Sequence, residues 1–471
     1  MKKSDSLKNC IYYVLLAIFV FSSIDLATMR LLAIGGMNVY YGDIFFFLIL
    51  AAALWAFMAK DNVRRWLQPV TAWYMLFLAW LAVAVVWGWR VHGYRAFGES
   101  RYVLPFFAFF IPYALLAGKR GDDPARVGKY VRMTTYIAAA ASLLFLLCSL
   151  VHGKPFYFSA IHLKNQKLWV HKIISSDQSF HIILLAMFIF YLSFSRKRFF
   201  TLPKMILFFL LLSALPVHNR TALISLFAAF LFLLVLARRP KEMLFACTSV
   251  VVIFALLKIV PAIERFYYPI QSRQRASEPT RRQASEPSRR QAPEPIRPQA
   301  SEPGRQPAPD LHMQGIKGMT TGYWRFYLNK AALRQVLQKP VFGWHLGGYF
   351  DFFIPEKNQK ISLPPHNQYI LILLKTGVIG LTLLLLPLLL LLRRLLKFLA
   401  DERLEASERS TVWLVLLVLL AQLPYGMGYD FIPLYAIYFG LGTIFMDSLA
   451  KKYPFPLRIK KTENGNLGHY S

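Results

Sequence analysis

Three residues stand where chemistry on an anion is natural. Arg220 opens an apolar run within PVHNRTALISL (216–226), Arg325 lies in YWRFYLNKAALRQVLQ (323–338), and His366 comes just before another apolar run in PPHNQYILILLKTGVIGL (364–381). A cation at the mouth of a membrane span is often only an anchor whose charged head reaches the interface. Charged groups at the edge of a helical bundle are also functional candidates. The guanidinium group is a planar fork of donors that matches phosphate oxygens. An imidazole, with an ordinary pKa of about 6.5, suits a general base near neutral pH, and as imidazolium it binds phosphate instead. Together, two arginines and a histidine on one face suggest an anionic headgroup, with pyrophosphate the natural ligand.

The elements that must position these residues are membrane helices. The chain has 471 residues, 56% hydrophobic and only 17% charged, too apolar for a soluble protein of this length. In lipid every backbone polar group must pair internally, which selects helices. Apolar runs predict spans near 11–29, 42–59, 69–89, 102–118, 130–151, 176–195, 201–217, 221–237, 243–261, 367–392, 411–428 and 431–449. The expected fold is an all-α polytopic membrane protein of about twelve transmembrane helices. The N-terminal run has no convincing small-residue cleavage site and reads as an uncleaved first helix. Basic segments KDNVRR (60–65), KRGDDPARVGK (119–129), SRKRFF (195–200), ARRPKE (237–242) and RRLLKFLADERLEASER (393–409), with both basic termini, fall on one side under this count. The positive-inside rule makes that side cytoplasmic. Residues 90–101 and 152–175 fit the rule less cleanly, since both gaps also carry basic residues.

The expected organisation is transmembrane helices 1–9 over 1–261, a large periplasmic loop over 262–365, helices 10–12 over 366–450, and a cytoplasmic tail over 451–471. Within the loop, 273–310 is an octapeptide repeat rich in Arg and Pro (RQRASEPT, RRQASEPS, RRQAPEPI, RPQASEPG). It has almost nothing to bury and is expected to be a disordered linker. Residues 311–365 are expected to fold, because Trp324, Leu328, Ala332 and Val336 recur at helical spacing and glycines at 343, 347 and 348 suit close turns.

The formal net charge of +31 reflects topology rather than nucleic-acid binding, since much of the Lys and Arg lies in short loops between spans. Cys10, Cys148 and Cys247 form no CxxC pair, so neither a disulfide framework nor a zinc site is indicated. No DxD motif falls on the expected outer face, where the acids Glu99, Glu264, Asp351, Glu356 and Asp430 are scattered. A twelve-span transporter would show two similar six-span halves, whereas the large loop here follows span nine.

His366-Asn367, nine residues, Gly377, two residues, Gly380 gives H-N-x9-G-x-x-G, which resembles the signature of the O-antigen ligase family within the ligase/polymerase group of bacterial surface-polysaccharide enzymes. Arg220 fits the first position of that family's second motif, an arginine with leucine four residues on; here the fourth residue is Ile224, preceded by Leu223. WRFYLNKAAL is similar to the family's arginine-bearing loop helix, and KPVFGWHLGGYF to its glycine-rich turn. The likeness covers roughly 170–445. The resemblance implies a donor glycan on undecaprenyl pyrophosphate, a lipid A–core acceptor, the bacterial inner membrane with a periplasmic active site, and inverting, metal-independent transfer without a cofactor. Polymerases and protein O-oligosaccharyltransferases share the fold and keep the acceptor open.

With that implied reaction, Arg220 and Arg325 are assigned to the pyrophosphate, where arginines replace a metal in stabilising the leaving group, and His366 to proton removal from the acceptor. Asn367 is expected to orient the ring or cap the helix. Lys375 is expected to attract the pyrophosphate or to snorkel. Gly377 and Gly380 are expected to allow close packing or room for a lipid chain. His218 and His345 are expected in support.

Overall fold

The computed structural model describes residues 30–34, 37–58, 62–100, 103–116, 121–151, 176–195, 220–236, 238, 244, 247–248, 321–348, 351–354, 359–362, 365, 367–427 and 434–454, for some of them the backbone alone. The expected spans 11–29, 201–217 and most of 243–261, the 273–310 repeat, His218 and His366 lie outside them.

The described chain is helical apart from two short hairpins, an addition to the all-α expectation. Strands β1 (Arg30–Ile34) and β2 (Met37–Tyr40) pair antiparallel, as do β3 (Asp351–Ile354) and β4 (Gln359–Ser362), with Asp351 opposite Ser362 and Ile354 opposite Gln359. The helices are α1 (Tyr41–Met58), α2 (Val63–Trp66), α3 (Pro69–His92), α4 (Tyr94–Ser100), α5 (Leu104–Phe107), α6 (Phe110–Leu115), α7 (Pro124–Val151), α8 (Ser176–Ser195), α9 (Arg220–Leu236), α10 (Thr321–Val336), α11 (Gln368–Leu399), α12 (Ala406–Tyr425) and α13 (Leu434–Lys452). Among the described residues, α3, α11 and α12 are long and apolar enough to cross a membrane. These helices match the expected spans 69–89, 367–392 and 411–428 closely.

The expected span 102–118 is not one helix. Pro105 and Pro112 each remove an amide donor, and the run breaks into α5 and α6. Side chains take up the carbonyls in this broken run. Tyr74 Oη donates to Phe106 O at 3.2 Å, Asn62 Nδ2 to Tyr113 O at 3.2 Å, and an Arg65 guanidinium nitrogen to Leu116 O at 2.8 Å. Each carbonyl so paired avoids the cost of a buried, unsatisfied polar group.

The core lies among α3, α6 to α9 and α11 to α13. Aromatic rings fill it: Tyr74 stacks on Phe439 at 4.5 Å, and Tyr191 on Trp413 at 4.1 Å. Hydroxyls link helices inside it. Thr71 Oγ1 and Tyr113 Oη are 2.9 Å apart, Tyr113 Oη and Thr443 Oγ1 2.8 Å, and Thr135 Oγ1 and Tyr438 Oη 2.8 Å. Such contacts hold helices together where lipid offers little hydrophobic drive.

Candidate functional site

The site is built around a fault in α11. Asn367 caps the helix: its backbone is extended, and its Oδ1 accepts from Tyr369 N at 3.0 Å and Ile370 N at 3.1 Å. The capping expectation for Asn367 is thus met in the structure. The helix then breaks at Gly377, whose φ of 68° and ψ of −172° belong to a region essentially restricted to glycine.

The break admits another piece of chain. Segment 340–348, directly after the loop helix α10, inserts against it. Trp344 N donates to Leu374 O at 2.8 Å, His345 N to Lys375 O at 2.9 Å, and Val378 N to Pro340 O at 2.8 Å. From α3, Trp80 Nε1 donates to Thr376 O at 3.0 Å. These bonds engage the carbonyls of three successive residues before the break and the first amide after it, so the break leaves them satisfied. The close approach explains the glycines. A Cβ at Gly377 would collide with the Val341 carbonyl, one at Gly343 would lie 2.7 Å from Thr376 N, and one at Gly88 would collide with the Leu346 carbonyl. Gly377, expected to permit close packing, lies against the backbone of segment 340–348, and Gly380 against the side chains of Thr376 and Trp80. A lipid chain is not needed to account for them.

Within the wedge, Gly343, His345 and Gly347 have φ of 71°, 59° and 85°. His345 pays a conformational cost that glycine would not, a pattern seen where local geometry serves function. Its ring lies 5.8 Å from that of Trp87. Burial, then the nearby Lys339 and His92, lower its pKa below the ordinary imidazole value, which favours the neutral ring.

Helix α10 docks on the first part of α11. Leu328, Ala332 and Val336 are buried against Leu374, with Ile370, Leu373 and Trp344 around them. That is the expected stripe, less Trp324, whose side chain lies outside the described residues. Trp344 Nε1 donates to Gln335 O at 2.9 Å, and Lys339 Nζ sits 4.3 Å above the Trp344 ring. Arg325 is half-buried at the edge of this stripe. The loop helix carrying Arg325 is thus fixed to the helix that His366 precedes in sequence. Arg220 opens α9, which packs on α8 and α12; its side chain lies outside the described residues. The end of α12 is tied to the start of α11, since Gln368 N donates to Gly426 O at 2.9 Å and Tyr369 Oη to Leu423 O at 2.9 Å.

Lys375 has an internal partner. Its side chain is 7% exposed and pairs with Glu99 of α4 at 2.6 Å, and its Nζ also donates to Gly348 O at 2.7 Å. Glu99 Oε2 accepts in addition from Gly347 N at 2.7 Å. The sequence left Glu99 among scattered acids and Trp80 unremarked. The signal for Glu99 was a lone acid in a gap that carries Arg95 and Arg101.

The part of α11 beyond Gly377 is about 33 Å long at 1.5 Å per residue, and its last turns carry Arg393, Arg394 and Lys397.

Residues 205–385 match the family model described as O-Antigen ligase. Among curated proteins no match is found. The matched stretch is narrower than the resemblance read from motifs, but it contains Arg220, Arg325, His366, Gly377 and Gly380.

Proposed function

We propose, on the premise that residues 205–385 match the O-antigen ligase family model, that the chain is a member of that family and transfers a glycan from undecaprenyl pyrophosphate to a sugar hydroxyl of lipid A–core. The family indicates transfer of the ligase or polymerase type in a multi-pass membrane protein. The observation that carries the finer reading is the arrangement around Gly377: H-N-x9-G-x-x-G is the place where the loop bearing Arg325 is built into the helix that follows His366.

In this proposal the acceptor oxygen attacks the anomeric carbon and the bond from that carbon to the pyrophosphate breaks. The hydroxyl proton passes to His366, and the leaving pyrophosphate takes the bonding pair. Arg220 and Arg325 balance the charge that develops there, the largest demand on such a site. His218 and His345 are support residues, and Asn367 holds the start of α11. Inversion and metal independence belong to the proposal, as do twelve spans, the large periplasmic loop with its 273–310 linker, and the inner membrane.

The proposed orientation places both termini in the cytoplasm and the wedge at the periplasmic face. Its support is charge: Arg65, Arg394, Arg403, Lys451 and Lys452 gather at the end of the bundle opposite the wedge.

The test uses a host lacking the gene, complemented with wild type or His366→Ala, with lipopolysaccharide gels and lipid-linked glycans read in parallel. Loss of every ladder band in the null and the alanine variant, with full-length polymer accumulating on undecaprenyl pyrophosphate, is the expected result. A single repeat unit still reaching lipid A–core makes the protein a polymerase. Unchanged lipopolysaccharide overturns the reading: either the acceptor is a protein or the family reading is wrong.

A further inference from the structure

The geometry points to the Glu99–Lys375 pair as the latch that seats the outer loop on the bundle, which makes both residues positioning residues for the transfer reaction. This rests on the proposed function for the word transfer, but the latch itself stands on contacts alone. Glu99 lies outside the matched stretch 205–385, and 276 positions separate it from Lys375.

Three elements meet at the pair. Glu99 comes from α4, Gly347 and Gly348 from the wedge, and Lys375 from α11, two residues before the break. One carboxylate oxygen accepts from both the Lys375 ammonium and the Gly347 amide, and the ammonium donates onward to Gly348 O. The backbone is equally tight. A Cβ at Gly347, where φ is 85°, would lie 2.7 Å from Ala96 N of α4. A lysine so buried requires a partner, because an isolated ammonium there would be driven to neutrality. Glu99 supplies that partner and, through Gly347, holds the wedge by the same oxygen. The wedge follows α10 in the chain and bonds to it through Trp344, so the latch sets where Arg325 stands relative to the start of α11. Displacements of about 1 Å at a reacting centre cost about a hundredfold in rate.

The structure therefore gives Lys375 a role in shaping the site rather than in meeting the donor directly. A lysine that only met the donor could lose its charge without loosening the wedge; a latch lysine cannot.

The experiment uses the full chain in membranes, with Cys10, Cys148 and Cys247 changed to serine. Val341 of the wedge and Val378 of α11, both exposed and next to the Val378 N to Pro340 O bond, are changed to cysteine and joined with a short bifunctional thiol reagent. Glu99→Gln, Lys375→Met, Lys375→Arg and the exchange Glu99→Lys with Lys375→Glu are made with and without the cysteine pair. Cross-link yield, thermal unfolding in detergent, and kcat and KM for the lipid-linked donor are measured. The expected result is that Glu99→Gln and Lys375→Met cut cross-link yield and lower kcat about a hundredfold with KM little changed. Lys375→Arg should restore both readouts, whereas the exchange, which sets an ammonium against the Gly347 amide and a carboxylate against the Gly348 carbonyl, should not. Wild-type cross-linking in Glu99→Gln and Lys375→Met overturns the latch. A fall in transfer that only tracks the amount of folded protein, with no rescue by arginine, overturns the positioning role. Should the wild type transfer no glycan, the functional reading fails while the cross-link still decides the latch.

Discussion

The two ends of the bundle solve one problem in opposite ways. Both contain broken helices whose backbone groups must find partners. At the end near α5 and α6, side chains from close by supply them: Asn62 Nδ2 spans Ala56 O at 2.9 Å and Tyr113 O at 3.2 Å, and Arg65 reaches Leu116 O. Ion pairs tie the rest of that end together, Asp122 to Arg65 at 3.1 Å and Lys451 at 2.5 Å, and Lys452 to Glu405 at 2.6 Å and Glu408 at 2.9 Å. At the end near Gly377, the partners are mostly the backbone of a separate segment, held by the Glu99–Lys375 ion pair. The side-chain caps at the other end come from Asn62 and Arg65, in the connection between α1 and α3. A backbone wedge is present only while its loop is docked. The first end is a fixed base, and the second is an assembled site whose geometry depends on docking.

That contrast can be broken or sharpened by experiment. The largest effect is expected for Gly377→Ala, since an alanine there meets a backbone region that costs about 1–3 kcal/mol and collides with the Val341 carbonyl. The Val341–Val378 cross-link should vanish and transfer with it. Retention of the cross-link would show that the break does not depend on glycine. Arg65→Met should come next. It orphans the Leu116 carbonyl and should cost about 1–3 kcal/mol in thermal unfolding, yet leave the cross-link of the surviving protein at wild-type yield. Equal loss of the cross-link would unite the two ends in one cooperative unit.

A smaller effect is expected from pH. His345 binds a proton more weakly in the folded state than unfolded, because burial and then Lys339 and His92 lower its pKa. Its neutral form thus favours docking above the ordinary imidazole value, and that contribution is lost as pH falls below it. Cross-link yield should decline with acidification from neutral pH and flatten in His345→Gln. His345→Gly, which relieves the positive φ, should keep the wedge seated at neutral pH. The smallest effect is expected for Asn367→Ala, about 1 kcal/mol for a lost helix cap, visible as a modest drop in melting temperature. A transfer defect far larger than that drop would add a substrate contact for Asn367.

Much of this was legible in the sequence. Hydropathy located α3, α8, α11 and α12 nearly end to end, because lipid imposes apolar side chains along the whole of a span. Helical spacing found the Leu328, Ala332 and Val336 face of α10, and the H-N-x9-G-x-x-G pattern contains Gly377, where α11 breaks, although its glycines read as packing positions. Local rules reach no further than the segment that carries them. Prolines at 105 and 112 announced breaks, but hydropathy read the run as one span because both halves are equally apolar.

What only the tertiary structure decided is which distant group answers each freed or buried polar one. Nothing local to Glu99 names Lys375, 276 positions away, and nothing local to Gly377 says that Val341 will lie against it. Burial makes such pairings obligatory, while the packing of α3, α4 and α10 around α11 selects the partners. The sequence by itself determined a helical membrane protein with an amphipathic, arginine-bearing helix ahead of the apolar run that follows His366, because those features follow from solvent and spacing. The latch and the wedge arose only when segments far apart in the chain were brought within hydrogen-bonding distance.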